Sequence, residues 1–396
     1  MTDNRTGARP DGALLADLIA LRHDLHRHPG VGFDVAWAAS RVKAELEQDR
    51  LSVTDGIGRS GVVGSLTMGK GTRSIALRAD LDALPITEAG NPEYRSQVPS
   101  AFHGCGHDGH TAMLVGAARL LSRRGSFDGT VHFVFQPAEE HGEGALAMIE
   151  DGLFDRFATD AVFGLHNLPG LPVGTFAFQP GPMAAFEETF EIVLTGKGGH
   201  ASMPELTADP MVAGAEVVTA LQTIVSRAVP PSEHAVVSIT EFITDGARNI
   251  IPSVVTISGD VRGFTEAVSS TVRQRMGRIV AGIAQSYGVE ATVRYQRAFE
   301  PVVNDPYETS RAADVAATID GATVHRKWGR VGFSEDFGQM LDRRPGTMVL
   351  MGNGEGDIHA AQLHNPNYDF NDEALPYGVE YWVRLVENQL KPGGRP

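Results

Sequence analysis

Glu188-Thr189-Phe190-Glu191-Ile192-Val193-Leu194-Thr195 (188–195) alternates polar and apolar side chains and sets Phe190, Ile192 and Leu194 on one face, the period of a half-buried strand. A helix follows, opened by Asp209-Pro210 and running to about residue 228. Strands at 235–242 and 253–261 come next, then a helix from Thr265 to about 286 closed by Gly288, and a strand at 289–296. The order β-α-β-β-α-β is the ferredoxin-like unit. On either side the pattern changes. Upstream, Leu14, Leu18, Leu21 and Leu25 mark a helix over 11–28 that starts at an Asp11 cap and stops at Pro29-Gly30. A second helix is predicted at 35–48 and a third at 111–123, with short strands at 61–67, 74–79, 130–135 and 161–166. Downstream, a helix at 334–341, a strand at 346–351 and a terminal helix at 373–390 resume the alternation. Strands alternating with helices imply an α/β layer with a mainly parallel sheet. Residues 185–298 therefore read as an insertion in a domain built from 1–184 and 299–396.

A chain of 396 residues exceeds the roughly 250–300 at which single cores stop growing, so two domains are expected. The hydrophobic share of 42% and charged share of 21% are those of an ordinary globular protein. No run approaches the roughly 20 apolar residues of a membrane span, and MTDNRTGARPDG lacks the apolar core of a secretory leader. The expectation is a cytoplasmic protein with no membrane partner. A net charge of −15 argues against a nucleic-acid partner, whose binders concentrate basic charge.

The single cysteine, Cys105, cannot form an intramolecular disulfide and stands in His103-Gly104-Cys105-Gly106-His107-Asp108-Gly109-His110. Thiolate and imidazole suit a borderline-soft divalent ion, and the glycines let the backbone curl so that neighbouring side chains converge. Three further clusters fall at predicted strand ends, where α/β folds build their sites. They are Asp80-Leu81-Asp82, Glu139-Glu140 after Val134-Phe135-Gln136-Pro137-Ala138, and His166 after Phe163-Gly164-Leu165. His364 lies in a loop near the carboxyl end. Singly, such residues are mostly caps and solvated turns. Together Cys105, His107, Glu140, His166 and His364 are too many ligands for one tetrahedral ion and too few for two closed ones. A dinuclear site with a bridging ligand fits, and such a site can acidify a water to a pKa of about 7 and polarise a carbonyl. In an extended segment Glu139 would point away from Glu140, toward that water, as general base. Asp82 is expected behind the ligands, as an acceptor fixing a histidine tautomer. His103 and His110 are read as supporting residues.

The strings RADLDALPITE (78–88), HGCGHDGHTA (103–112), QPAEE (136–140), GLHN (164–167), GKGGHAS (196–202) and LHNPNYDFND (363–372) resemble the N-acyl-amino-acid amidohydrolase and hippurate hydrolase family of the dinuclear aminoacylase and carboxypeptidase superfamily. The resemblance runs from about residue 20 to 385. It implies a zinc-peptidase-like catalytic domain with an inserted ferredoxin-like lid that dimerises, or forms a tetramer. It also implies two divalent ions per subunit (Zn²⁺ or Mn²⁺, with Co²⁺ or Ni²⁺ as alternatives), held by Cys105, His107, Glu140, His166 and His364, with Glu139 as the base. The implied reaction is hydrolysis of N-acyl-L-amino acids of the hippurate or N-acetyl type. By the same resemblance His200 stabilises the tetrahedral oxyanion, in relatives from the partner subunit, while Asn249 and Arg262 hold the substrate carboxylate. Arg262 has a structural alternative, an ion pair with Asp260. Ser334 reads as the N-cap of the 334–341 helix. The chain departs from the family pattern at His141-Gly142-Glu143-Gly144, where several glycines are usual; that bears on substrate preference.

Two other functions compete. Cys105 could be the nucleophile of a cysteine amidase with His107 or His110 as base, a reading that leaves Glu140, His166 and His364 unexplained. The chain could also be a metal-dependent ligand-binding protein without turnover, which the intact Glu139 argues against. Gly64-Ser65-Leu66-Thr67-Met68-Gly69-Lys70 begins like a phosphate-binding loop, but Gly71 replaces the hydroxyl that would hold Mg²⁺, so a turn between strands is expected.

Overall fold

A computed structural model describes residues 7–49, 51–124, 126–356 and 359–392. The chain forms two compact units: the first runs through Gly181 and resumes over Val302–Gly329 and from Asp336 onward, and the second comprises Pro182–Pro301 with Arg330–Glu335.

The first unit is built on an eight-stranded sheet in the order Ser52–Ile57, Gly61–Met68, Gly129–Gln136, Ser74–Asp80, Ala161–Pro169, Gly346–Gly354, Thr175–Ala177, Thr323–His325. Its four central strands are mutually parallel; antiparallel pairs extend it to one edge, and on the other side Thr175–Ala177 runs antiparallel to Gly346–Gly354 and parallel to the edge strand Thr323–His325. Ser74–Asp80 is buried at every position, the mark of a central parallel strand covered on both faces. Helix Gly12–Arg27 begins where Asp11 Oδ1 accepts the Leu14 N–H at 2.9 Å, and its Leu14, Leu18, Leu21 and Leu25 join the core. Helix His107–Arg124 packs against it and against Leu375–Gln389, which is buried around most of its circumference. Helix His107–Arg124 starts four residues before the predicted 111, so His107 and Asp108 ride on its first turn.

The second unit carries a four-stranded antiparallel sheet, order Ala235–Thr244, Val254–Gly263, Phe186–Thr195, Glu290–Phe299. Phe190, Ile192 and Leu194 are buried with Val217 and Leu221 of helix Pro210–Arg227 and Val272 and Met276 of helix Glu266–Tyr287. Asp209 caps the first helix through the Met211 N–H, with Pro210 in the first turn, and Gly288 ends the second at φ 66°.

Two local readings change. The helix predicted at 334–341 is only the turn Gly338–Leu341. The Ser334 hydroxyl donates to the Ala185 carbonyl instead of capping, and the Asp336 carboxylate is taken up by Arg78, Gln136 and the Ala145 N–H. Conversely, helix Pro306–Ala316 was not anticipated, although Asp305 caps it and Pro306 opens it as at 209–210. No helix among the described residues is long and apolar enough to cross a membrane.

Candidate metal centre

The parallel strands Ser74–Asp80 and Gly129–Gln136 deliver Asp80-Leu81-Asp82 and Glu139-Glu140 from their carboxyl ends, and Ala161–Pro169 carries His166. Cys105 precedes helix His107–Arg124, separated from it by Gly106 at φ 88°. A Cβ at Gly106 would lie 2.4 Å from both Asn167 Nδ2 and Tyr368 Oη, so the turn that sets Cys105 beside His107 requires glycine.

Two sets of potential ligands, Cys105–His107–His166 and Cys105–Glu140–His364, each have their ligand atoms within 4.8 Å of one another and share the thiol. Cys105 Sγ is 3.4 Å from His166 Nε2. His107 Nε2 lies 3.8 Å from Glu140 Oε1, and His364 Nε2 lies 3.4 Å from Glu140 Oε2. His364 is exposed and holds a positive φ of 66°, uncommon for a non-glycine residue and typical of functional loops. Both ligand histidines of the first set have their tautomer fixed: His107 Nδ1 donates to the Asp82 carbonyl at 2.8 Å and His166 Nδ1 to the Asn167 carbonyl at 2.7 Å. Each ring therefore turns the Nε2 lone pair inward.

Glu139 and Glu140 do not diverge as an extended segment would. Ala138 takes φ 51° and turns the chain, so that Glu139 Oε2 also reaches to 3.8 Å from His107 Nε2. The two acids differ in their other neighbours, since Glu140 faces His364. Asp82 holds this turn from behind: Oδ1 accepts the Glu139 N–H at 3.0 Å and Oδ2 the Glu140 N–H at 3.2 Å. The tautomer of His107 is fixed by the Asp82 carbonyl rather than by its carboxylate.

The electrostatics fit a cation. His107 Nε2 and Glu140 Oε1 are buried without a hydrogen-bond partner, although three carboxylates, of Asp80, Glu139 and Glu140, lie 3.7–3.8 Å from the former. A lone pair facing anions is repulsive unless a proton or metal ion lies between them. Burial disfavours charge on His107, yet Asp80, Asp82 and Glu140 push its pKa up to about 10. Burial, then Glu140, Glu139 and Asp80, drives the Cys105 thiol well above its ordinary value, so a thiolate here needs a positive neighbour. The donor set of thiolate, imidazoles and carboxylate is one that Zn²⁺ accepts.

Around the ligands is a layer that sequence reasoning largely missed. His110 donates from Nδ1 to Asp80 Oδ1 at 2.7 Å and accepts the Asn167 N–H at 3.0 Å, a fully paired support. Asn167 Nδ2 donates to the Cys105 carbonyl at 2.6 Å, and Tyr368 Oη donates to Asn167 Oδ1 at 2.7 Å. Both residues stand inside the GLHN and LHNPNYDFND strings, which was the available signal. Arg78 bridges Asp80, Gln136 and Asp336 in the core, and Asp108 binds buried His26 and Arg22. His103 is buried with both ring nitrogens unpaired, and burial foremost lowers its pKa to about 3.

His200, Asn249 and Arg262 belong to the second unit. His200 Nδ1 accepts from the Ser202 N–H at 3.1 Å and from its hydroxyl at 2.8 Å, leaving the ring proton of the neutral form on Nε2. The Asn249 carbonyl accepts the adjacent Ala201 N–H at 3.1 Å. Arg262 is engaged on all three nitrogens, by Asp260 at 2.9 Å, Glu187 at 2.8 Å and Ser334 Oγ at 2.7 Å. The structural ion pair is thus the arrangement present, and a substrate carboxylate would have to displace a partner.

The whole chain has relatives of known kind. It is 37% identical over 378 residues to an N-acetylcysteine deacetylase of Bacillus subtilis, covering 95% of this chain and 97% of that protein. It is 38% identical over 375 residues to a hippurate hydrolase of Campylobacter jejuni, covering 94% and 96% respectively. The crystal structure of the Bacillus subtilis YXEP protein, a dinuclear metal-binding peptidase, superposes with a TM-score of 0.84 at 34% identity over 96% of this chain and 99% of that one. The model of the peptidase family M20/M25/M40 matches residues 76–388, from the strand that ends in Asp80 to the terminal helix, and the chain belongs to that family.

Proposed function

We propose that the protein hydrolyses the amide bond of N-acyl-L-amino acids, of the hippurate or N-acetyl type, releasing a carboxylic acid and a free amino acid. The carrying observation is the pair of ligand sets that share Cys105 and meet at unpaired, buried His107 Nε2 and Glu140 Oε1, with Glu139 alongside. Cys105, His107, Glu140, His166 and His364 would hold two divalent ions. When bound, these supply the positive field that acidifies a water and polarises the amide carbonyl. Glu139 takes the proton of the attacking water and returns it to the amine nitrogen as the C–N bond breaks. By the family resemblance His200, of this subunit or of its dimer partner, would donate from Nε2 to the oxyanion of the tetrahedral intermediate. The first unit is then the catalytic domain, and the second an inserted lid and dimerisation domain. Zinc suits the thiolate best, with Mn²⁺, Co²⁺ and Ni²⁺ as alternatives. A homodimer in the reducing cytoplasm, where a lone thiol stays reduced, completes the reading.

The cysteine-amidase alternative is disfavoured because the buried, acid-flanked Cys105 thiol is held in its protonated, poorly nucleophilic form. Glu139→Gln decides the mechanism. The variant is expected to keep its metal content while hydrolysis of N-benzoylglycine falls by roughly 10²- to 10⁴-fold. Hydrolysis at the wild-type rate would remove Glu139 from the chemistry.

A further inference from the structure

A cavity of about 590 Å³ opens at the other end of the strands that serve the candidate metal centre. It is lined by Lys70, Arg73, Arg311 and Lys391, by a single acid, Asp128, and by Tyr307. Arg73 directly precedes Ser74–Asp80, so the length of that strand, roughly 20 Å, separates it from Asp80. Four cations around one cavity stand out in a chain whose net charge is −15.

The acids nearby are already committed. Asp128 Oδ1 accepts the backbone N–H groups of Lys70 and Gly71, each at 2.6 Å. Gly69, at φ 71°, and Gly71 allow this closeness, because a Cβ would come within 2.1 Å of Asp128 Oδ1 at the first and 2.4 Å of its carbonyl oxygen at the second. The Gly69-Lys70-Gly71 turn is therefore fixed to Asp128 with Lys70 at its tip. It joins two strands, so it is not a nucleotide-binding loop of the strand-to-helix kind. Glu308, behind the cavity, is shared by Arg73 Nη2 at 3.4 Å and Arg311 Nη1 at 3.7 Å. Lys70 and Lys391 have no carboxylate partner among the described residues. Arg73 Nη2 also donates to Gln389 Oε1 at 2.9 Å, while its Nε is buried without an acceptor among the described residues. The Arg311 guanidinium lies 5.5 Å from the ring centroid of exposed Tyr307, a flat surface at the cavity.

We propose that this cavity binds the phosphoryl group of a small molecule, separately from the metal centre. A phosphoryl dianion with three acceptor oxygens matches several cations and arginine forks better than a single carboxylate does. Free phosphate and a mononucleotide share that chemistry.

The test is calorimetric titration of the metal-loaded, full-length protein with inorganic phosphate and with AMP at constant ionic strength. Saturable binding in the millimolar range or tighter is expected. The Lys70→Ala/Lys391→Ala variant, altered only at exposed side chains, should bind at least about tenfold more weakly while its basal amide hydrolysis is unchanged. Equal affinity for both probes identifies free phosphate as the ligand, and tighter AMP binding that is lost in Tyr307→Ala identifies a nucleotide. No saturable binding of either probe overturns the proposal. So does wild-type affinity in the double-lysine variant, since the anion would then sit elsewhere, such as at the metals.

Discussion

Asp82→Asn probes how the Glu139-Glu140 turn is held. The Asp82 side chain is fully buried, and each carboxylate oxygen takes one backbone N–H, of Glu139 at 3.0 Å and Glu140 at 3.2 Å. Asparagine keeps the volume but offers one acceptor; its amide group would meet the second N–H donor to donor. Hydrogen bonds to a charged acceptor contribute about 1.5–3 kcal/mol each, and a buried unsatisfied donor costs about 1–3 kcal/mol. Against this, burial foremost raises the pKa of Asp82, so removing its charge recovers part of a desolvation cost. The balance is a loss of about 2–4 kcal/mol, or a fall in melting midpoint of roughly 3–8 °C. Function should suffer more than folding. With the turn released, Glu139 and Glu140 shift relative to His107, and displacements near 1 Å cost on the order of 10²-fold in rate. Thermal melts of the metal-loaded protein, paired with initial rates on N-benzoylglycine, read both effects. A variant within roughly 0.5 kcal/mol of wild type and equal to it in kcat/KM would show that the carboxylate does not hold the turn.

Other outcomes follow from the same packing. Gly106→Ala places a Cβ 2.4 Å from Asn167 and Tyr368 at φ 88°, and should cost more than about 2 kcal/mol and much of the metal affinity; a stable, fully metallated variant would contradict the turn geometry. His26 is buried, which disfavours its charge, but Asp108 and Glu88 raise its pKa from 6.5 to about 9 despite opposing Arg22. Because the folded value is the higher, this stabilisation is complete below pH 6.5 and lost as pH rises through about 9, on the order of 3 kcal/mol in all. Urea midpoints across that window should fall less steeply for His26→Gln than for wild type, and equal slopes would remove His26 from the account.

What was legible in the sequence is what local rules control. Alternation at Phe190, Ile192 and Leu194, and proline after an aspartate cap at 209–210, identified the second unit's elements because burial and capping act over a few residues. The clustering of Cys105, His107, Glu140, His166 and His364 was legible because α/β strands end on a common rim. The turn at Ala138 was not, since a positive φ at alanine is imposed by the surrounding fold: its N–H bonds to the Gly32 carbonyl at 3.0 Å. Nor was the pairing of Asn167 with Tyr368, which are 201 residues apart and meet only once the core has formed. The helix expected at 334–341 failed for a related reason. Tertiary partners of Ser334 and Asp336 outweigh the local cap.

The most direct measurement removes the metal with a chelator and restores it stepwise as Zn²⁺ or Mn²⁺. Bound metal and hydrolysis of N-benzoylglycine and N-acetyl amino acids are read at each step. The account predicts no hydrolysis without metal and a plateau at about two ions per chain. Full activity in the metal-free protein, or a plateau at about one ion, would contradict it.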